Sequence, residues 1–214
     1  MKKTSKALLL GLCALLLVGA SVLGTMAYLT SQDEVVNNFT VGKVNITLDE
    51  ANVDINGEVE DATRVKTNDY KLLPSHNYKK DPTIHVADDS EDCYLFVKVD
   101  NEIADILISE NDGTDTKKVT LANQMTANGW TNVQGNIYVY GTNTAPTTVK
   151  PGDENVTGAN GIVVFDTFTI DDEVNGTQLA TFAGKKITVT AYAIQKDGFD
   201  GKSPAEIWAA SKFN

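Results

Sequence analysis

An all-β sandwich is the fold class that this 214-residue sequence predicts, and three observations point to it. Apolar residues alternate with polar ones at period two in several separate runs, turn-forming residues lie between those runs, and helix signals are few and short. Many short strands with frequent turns and little helix read as two packed antiparallel sheets rather than a βα architecture.

The strands follow in order. Val44, Ile46 and Leu48 alternate with Asn45, Thr47 and Asp49, and Ile84 and Val86 alternate with Thr83 and His85. The pattern returns at residues 93–99, 137–140, 162–170 and 187–194. These runs are rich in Val, Ile, Thr, Tyr and Phe, side chains that suit a pleated, half-buried surface. Turn formers mark the gaps: Asn111-Asp112-Gly113, Asn128-Gly129, Pro151-Gly152-Asp153, Asn175-Gly176 and Asp197-Gly198. A short C-terminal helix is predicted where Ser203 stands as N-cap, Pro204 in the first turn and Glu206 three residues on, which completes a capping box. In that helix Trp208 is expected to lid one end of the core. Residues 121–127 predict a second short helix before Gly129-Trp130, and residues 103–108 fit either a strand or a helix. Residues 43–214 show no further domain boundary, low-complexity linker or internal repeat, so one β-sandwich domain is expected there.

The first 42 residues differ in kind. Residues 1–27 carry Lys2, Lys3 and Lys6, then a nearly unbroken apolar run, then Thr25-Met26-Ala27 with small residues at the −3 and −1 positions. That is the layout of a secretory signal, predicted as an N-terminal signal helix cleaved between Ala27 and Tyr28. The alternative is an uncleaved anchor, since residues 7–27 are long enough to span a bilayer, and the membrane is expected as a partner only through that uncleaved signal. Removing residues 1–27 takes away three lysines and no acid, so the formal charge moves from −11 to −14. Such acidity opposes a nucleic-acid partner, because phosphate binding needs a basic face. Residues 28–42 follow as an extended segment.

Catalytic chemistry finds little footing. Only Cys93 remains after the signal, so no intramolecular disulfide is expected in the exported chain. Cys93 shares an apolar face with Leu95, Val97 and Val99 and reads as a small buried hydrophobe. His76 and His85 fit no common zinc spacing, and His85, opposite Ile84 and Val86, reads as a solvent-facing strand residue. The acidic stretches at 88–92 and 171–173 are calcium-compatible in type, but neither follows the calcium-loop pattern, and solvated loops are the simpler reading. Asn38, Asn45, Asn155 and Asn175 head Asn-x-Ser/Thr triplets that a composition rich in Asn and Thr produces by chance. No cofactor, no metal site and no catalytic residue is expected.

A resemblance adds to this reading. Gly24-Thr25-Met26-Ala27-Tyr28-Leu29-Thr30, followed by Asn37-Asn38-Phe39-Thr40-Val41-Gly42-Lys43-Val44, resembles the signal and early mature segment of exported bacterial proteins processed by the SipW-type signal peptidase, the TasA/camelysin (CalY) family. Lys80-Asp81-Pro82-Thr83-Ile84-His85-Val86 and Tyr94-Leu95-Phe96-Val97-Lys98-Val99 are similar to a strand pair that recurs in such proteins. Ser75 departs from that pattern, standing where a Pro-Gly turn is often found. The resemblance implies a jelly-roll-like sandwich, secreted to the extracellular matrix or cell surface, that self-associates into biofilm-matrix or surface fibres. Signal peptidase during export and accessory matrix proteins would be its other partners. The resemblance further implies a donor strand, here Tyr28, Leu29, Val35, Val36 and Phe39, that completes a neighbour's sheet. Adding an extended segment to an exposed sheet edge has its own physical basis in the edge's unpaired N–H and C=O groups. Two alternatives come from other classes: a camelysin-like secreted metallopeptidase, whose ligand set the sequence lacks, and a monomeric cell-surface binding module.

Overall fold

The computed structural model describes residues 43–111, 119–152 and 161–211, together with Lys6, Leu8, residues 10–17 and Phe213. The chain divides into two compact units, Met1–Val41 and Gly42–Asn214. In the first unit the described residues are helical, and Leu8, Leu10, Leu12, Leu15, Leu16 and Leu17 stand exposed. No helix of the described residues is long and apolar enough to cross a membrane. The expected cleavage point at Ala27 and Tyr28 and the donor-strand residues Leu29, Val35, Val36 and Phe39 lie outside the described residues.

The second unit is all-β, with strands that pair antiparallel throughout its described residues. One sheet has the order β2-β1-β4-β8, from Val59–Val65, Ile46–Val53, Thr83–Val86 and Ile162–Val163. A second has the order β10-β5-β7-β6, from Ile187–Gln195, Cys93–Asn101, Ile137–Tyr140 and Trp130–Gln134. A two-stranded sheet joins β3 (Asn77–Lys79) to β9 (Thr167–Thr169). Three short helices accompany them: α1 (Leu121–Ala127), α2 (Gly176–Ala180) and α3 (Pro204–Ala210).

Alternation explains how the two large sheets meet. Cys93, Leu95 and Val97 of β5 and Ile84 and Val86 of β4 point into one shared cluster and are 0–2% exposed. Each such side chain taken from water contributes roughly 1.5–3 kcal/mol. Tyr94 and Phe96 point the opposite way and are buried in a second cluster beneath α3. Residues 93–97 are therefore apolar without a break because β5 is covered on both faces. The inner-face residues of the flanking strands are only half-buried: Ile46 and Leu48 on β1, and Ile187, Val189 and Ala191 on β10.

Several sequence expectations change. Trp208 does not lid an end of the shared core; it lies on the outer face of the second sheet, its ring centroid 5.5 Å from Phe96 and 5.1 Å from Tyr192. The run 162–170 is two strands, because Val164 N donates to the Pro82 carbonyl (2.8 Å) and the chain then leaves the first sheet to pair with β3. Asn175-Gly176 opens α2 instead of a turn: Asn175 Oδ1 accepts from Thr177 N and Gln178 N, and Gln178 Oε1 accepts from Asn175 N, which completes a capping box. Residues 103–108 contain a single 3-10 turn, Ala104–Ile106. The capping box of α3 and the N-cap of α1, supplied by Thr120, are in place. His85 does not face solvent. Its side chain is 14% exposed, for reasons given by its neighbours on the outer face of the first sheet.

Candidate functional site

Two strand edges border one groove. The first is β10, which pairs with β5 along its whole length, from Ile187 opposite Asn101 to Gln195 opposite Cys93, and has no strand on its other side among the described residues. The second is the start of β1. There β4 pairs with Ile46 to Asp49, whereas the β2 partners begin only at Glu50, so the edge of Ile46, Thr47 and Leu48 away from β4 has no strand partner among the described residues. Lys66 Nζ donates to the Leu48 carbonyl beside that edge. Between the edges lies a cavity of about 720 Å³ whose walls include Leu48, Tyr70, Phe168, Leu179, Ile187 and Val189. Its lining carries charges of both signs: the exposed Lys66, Lys185 and Lys186, the largely buried Lys80–Glu50 pair, and Asp49 and Asp69.

A buried charged group sits in the wall of this groove. Glu50 continues the inward alternation of Val44, Ile46 and Leu48 and is 5% exposed. An isolated carboxylate there would be costly. It is compensated by Lys80 Nζ at 2.5 Å from Oε2 and by Asn68 Nδ2 at 2.9 Å from Oε1. Asn68 is itself fixed by the backbone of β1: Nδ2 donates to the Ala51 carbonyl (2.9 Å), and Oδ1 accepts from Val53 N (3.1 Å). Tyr70 donates its hydroxyl to the Lys79 carbonyl (3.0 Å). Burial, reinforced by the charge of Glu50, raises the Tyr70 phenol well above its ordinary pKa.

The outer face of the same sheet carries a second network. Arg64 Nε pairs with Asp49 Oδ1, Arg64 Nη1 lies 3.4 Å from Asp81 Oδ2, and Arg64 Nη2 donates to Thr83 Oγ1 (2.7 Å). His85 Nε2 is 3.1 Å from Asp49 Oδ1, and Asp81 Oδ1 accepts from Ala51 N (2.7 Å). Burial pushes the Asp49 carboxyl up, but the hydrogen bonds and charges of Arg64 and His85 outweigh it and leave its pKa below the ordinary value. Gly161 closes over the imidazole: at φ +40°, a Cβ there would stand 2.4 Å from Thr83 Cγ2 and 2.9 Å from His85 Nδ1. Alternation gave His85 its correct face; the covering of that face by Arg64 and Gly161 was invisible to it.

The remaining candidates are engaged elsewhere. His76 Nε2 hydrogen-bonds the Asn56 carbonyl (2.8 Å) and its ring meets Tyr78, so the two histidines serve different networks. Among the described residues no group of three or more His, Cys, Asp or Glu is placed to hold a metal ion. Asp89 pairs with Lys43, and Asp171 Oδ1 accepts from Glu173 N (2.8 Å) to shape its own turn. Cys93 is fully buried, and that burial, with the charge of Asp92, pushes its thiol up to about 12.

Sequence reasoning named the donor side of an edge interaction but no acceptor, and it passed over Glu50, Asn68 and Lys80. The one available signal was Glu50, an acid that continues an apolar face.

Fold and site define an all-β antiparallel protein whose β10 edge, unpaired among the described residues, lies beside a groove. No protein-family model matches the chain, and neither a curated protein nor a solved structure matches it.

Proposed function

We propose that this chain is a secreted structural subunit of extracellular biofilm-matrix or surface fibres, related to the TasA/camelysin family and built on a jelly-roll-like sandwich. Removal of residues 1–27 as a signal frees the segment 28–39, which adds to the β10 edge of the next copy. The observation that carries this reading is the nine-residue β10 edge beside a groove whose apolar walls are half-buried. In an extended strand Leu29, Val35 and Phe39 share one face, which matches the apolar walls, while Glu34 falls on the opposite face, where it can meet the exposed Lys66 or Lys186. Donor and acceptor are different surfaces, so the contact propagates as an open filament instead of closing as a dimer.

The test compares two purified chains, one starting at Tyr28 and one at Thr40, by light scattering and negative-stain microscopy. Filaments from the longer chain and monomers from the shorter one are the expected result. A longer chain that stays monomeric at every concentration would sink the proposal.

A further inference from the structure

Glu50 holds an amine with one carboxylate oxygen and a carboxamide with the other. Lys80 Nζ is 2.5 Å from Oε2 and Asn68 Nδ2 is 2.9 Å from Oε1, while the Glu50 and Lys80 side chains are only 7% and 12% exposed. The backbone partners fix which amide atom is which, since the Asn68 nitrogen donates to the Ala51 carbonyl and its oxygen accepts from Val53 N. We propose that Lys80 and Asn68 become joined by an intramolecular isopeptide bond, with Glu50 as the proton carrier.

The groups that would move the protons and polarise the carbonyl are in place, and both reactants are held by the two oxygens of one carboxylate. The nucleophile must be a free amine, and Glu50 Oε2 lies where it can accept a proton from Lys80 Nζ without separating charge. The carbonyl must be polarised as its oxygen gains charge, and the Val53 N–H, 3.1 Å from Asn68 Oδ1, points at that atom. The leaving nitrogen must be protonated, and Asn68 Nδ2 already contacts the second Glu50 oxygen. Glu50 takes one proton from the Lys80 ammonium, Nζ forms a bond to Asn68 Cγ, Glu50 passes that proton to Nδ2 as the Cγ–Nδ2 bond breaks, and the second proton lost by Nζ is relayed by Glu50 to the released ammonia, giving ammonium. An alkylammonium and a primary carboxamide thus become a secondary amide and one ammonium ion; Glu50 returns to carboxylate and nothing is oxidised or reduced. The ammonium has an exit, because Glu50, Asn68 and Lys80 all line the groove cavity. Holding both reactants on one carboxylate replaces the entropic cost that makes this reaction slow between free molecules.

Such a bond would close the segment 68–80, which contains the groove residues Tyr70 and Leu72, into a covalent loop. The chain holds only Cys13 and Cys93, the latter buried, so a disulfide is not the means available to tie that wall. The inference does not depend on fibre assembly.

Peptide-level mass spectrometry on the folded full chain tests it. A tryptic peptide bearing Asn68 covalently joined to one bearing Lys80, lighter by one ammonia than their sum, is the expected result. Glu50→Gln and Lys80→Arg should each return the two peptides to their unlinked masses, with folding checked by circular dichroism. Lys80→Arg also separates this bond from ammonia loss by asparagine cyclisation, which that change leaves untouched. The wild-type result alone decides if a variant fails to fold: unmodified Asn68 and Lys80 in separate peptides overturns the proposal.

Discussion

The indole of Trp208 rests against Phe96, ring centroids 5.5 Å apart, on the face of the second sheet that points away from the first. A seven-residue helix thereby covers Tyr94, Phe96 and Ile194, which would otherwise present an apolar sheet face to water.

Trp208→Ala should therefore cost about 3–5 kcal/mol, the range for deleting a large buried aromatic. Urea denaturation is the measurement, and a loss well under 1 kcal/mol would mean that α3 adds little to the fold.

Acid should weaken the Asp49 network with a defined sign. The folded pKa of Asp49 lies below its ordinary value of 3.8, so its contribution is complete above that pH and drains as pH falls through the lower, folded value. Asp49→Asn should destabilise the chain near neutral pH and converge on the wild type well below pH 3.8. Parallel stability curves for the two proteins across that window would contradict the assignment.

Gly161→Ala should destabilise by roughly 1–3 kcal/mol, because the backbone sits at positive φ and the new methyl meets Thr83 and His85. A thermal melt that is unchanged would show that the loop relaxes freely.

The exposed lysines at the groove make charge reversal informative. In the proposed assembly Lys66→Glu with Lys186→Glu should slow filament growth, and adding Glu34→Lys should restore part of the rate. For a chain that starts at Tyr28, whose formal charge is −14, the proposed growth should become faster as salt screens subunit repulsion. Turbidity kinetics read both effects, and growth indifferent to both would detach assembly from charge.

The sequence was most legible where burial and periodicity agree. Cys93, Leu95 and Val97 alternate with Tyr94 and Phe96, and β5 lies where that pattern places it. Ser203 and Glu206 announced α3 through local capping chemistry, but the position of Trp208 depended on a sheet face that no local signal describes. Six of the seven residues of β2 are exposed, so no apolar alternation marks it; backbone pairing to β1 and the reach of Arg64 hold it. The groove was illegible for a related reason. Glu50, Asn68 and Lys80 are distant in sequence, and their types are ordinary surface types until the fold buries them together.

The side of β10 away from β5, which carries no strand among the described residues, also has the geometry of a ruler. Nine residues at about 3.3 Å each give an edge of roughly 30 Å. A strand laid along it is read in two ways: for length, by how many hydrogen bonds it can register, and for parity, by which of its alternate side chains fall on the side of Val189 and Ala191. A shift of one residue would turn every inward side chain outward, so any strand added to this edge would be held to one phase as well as one place.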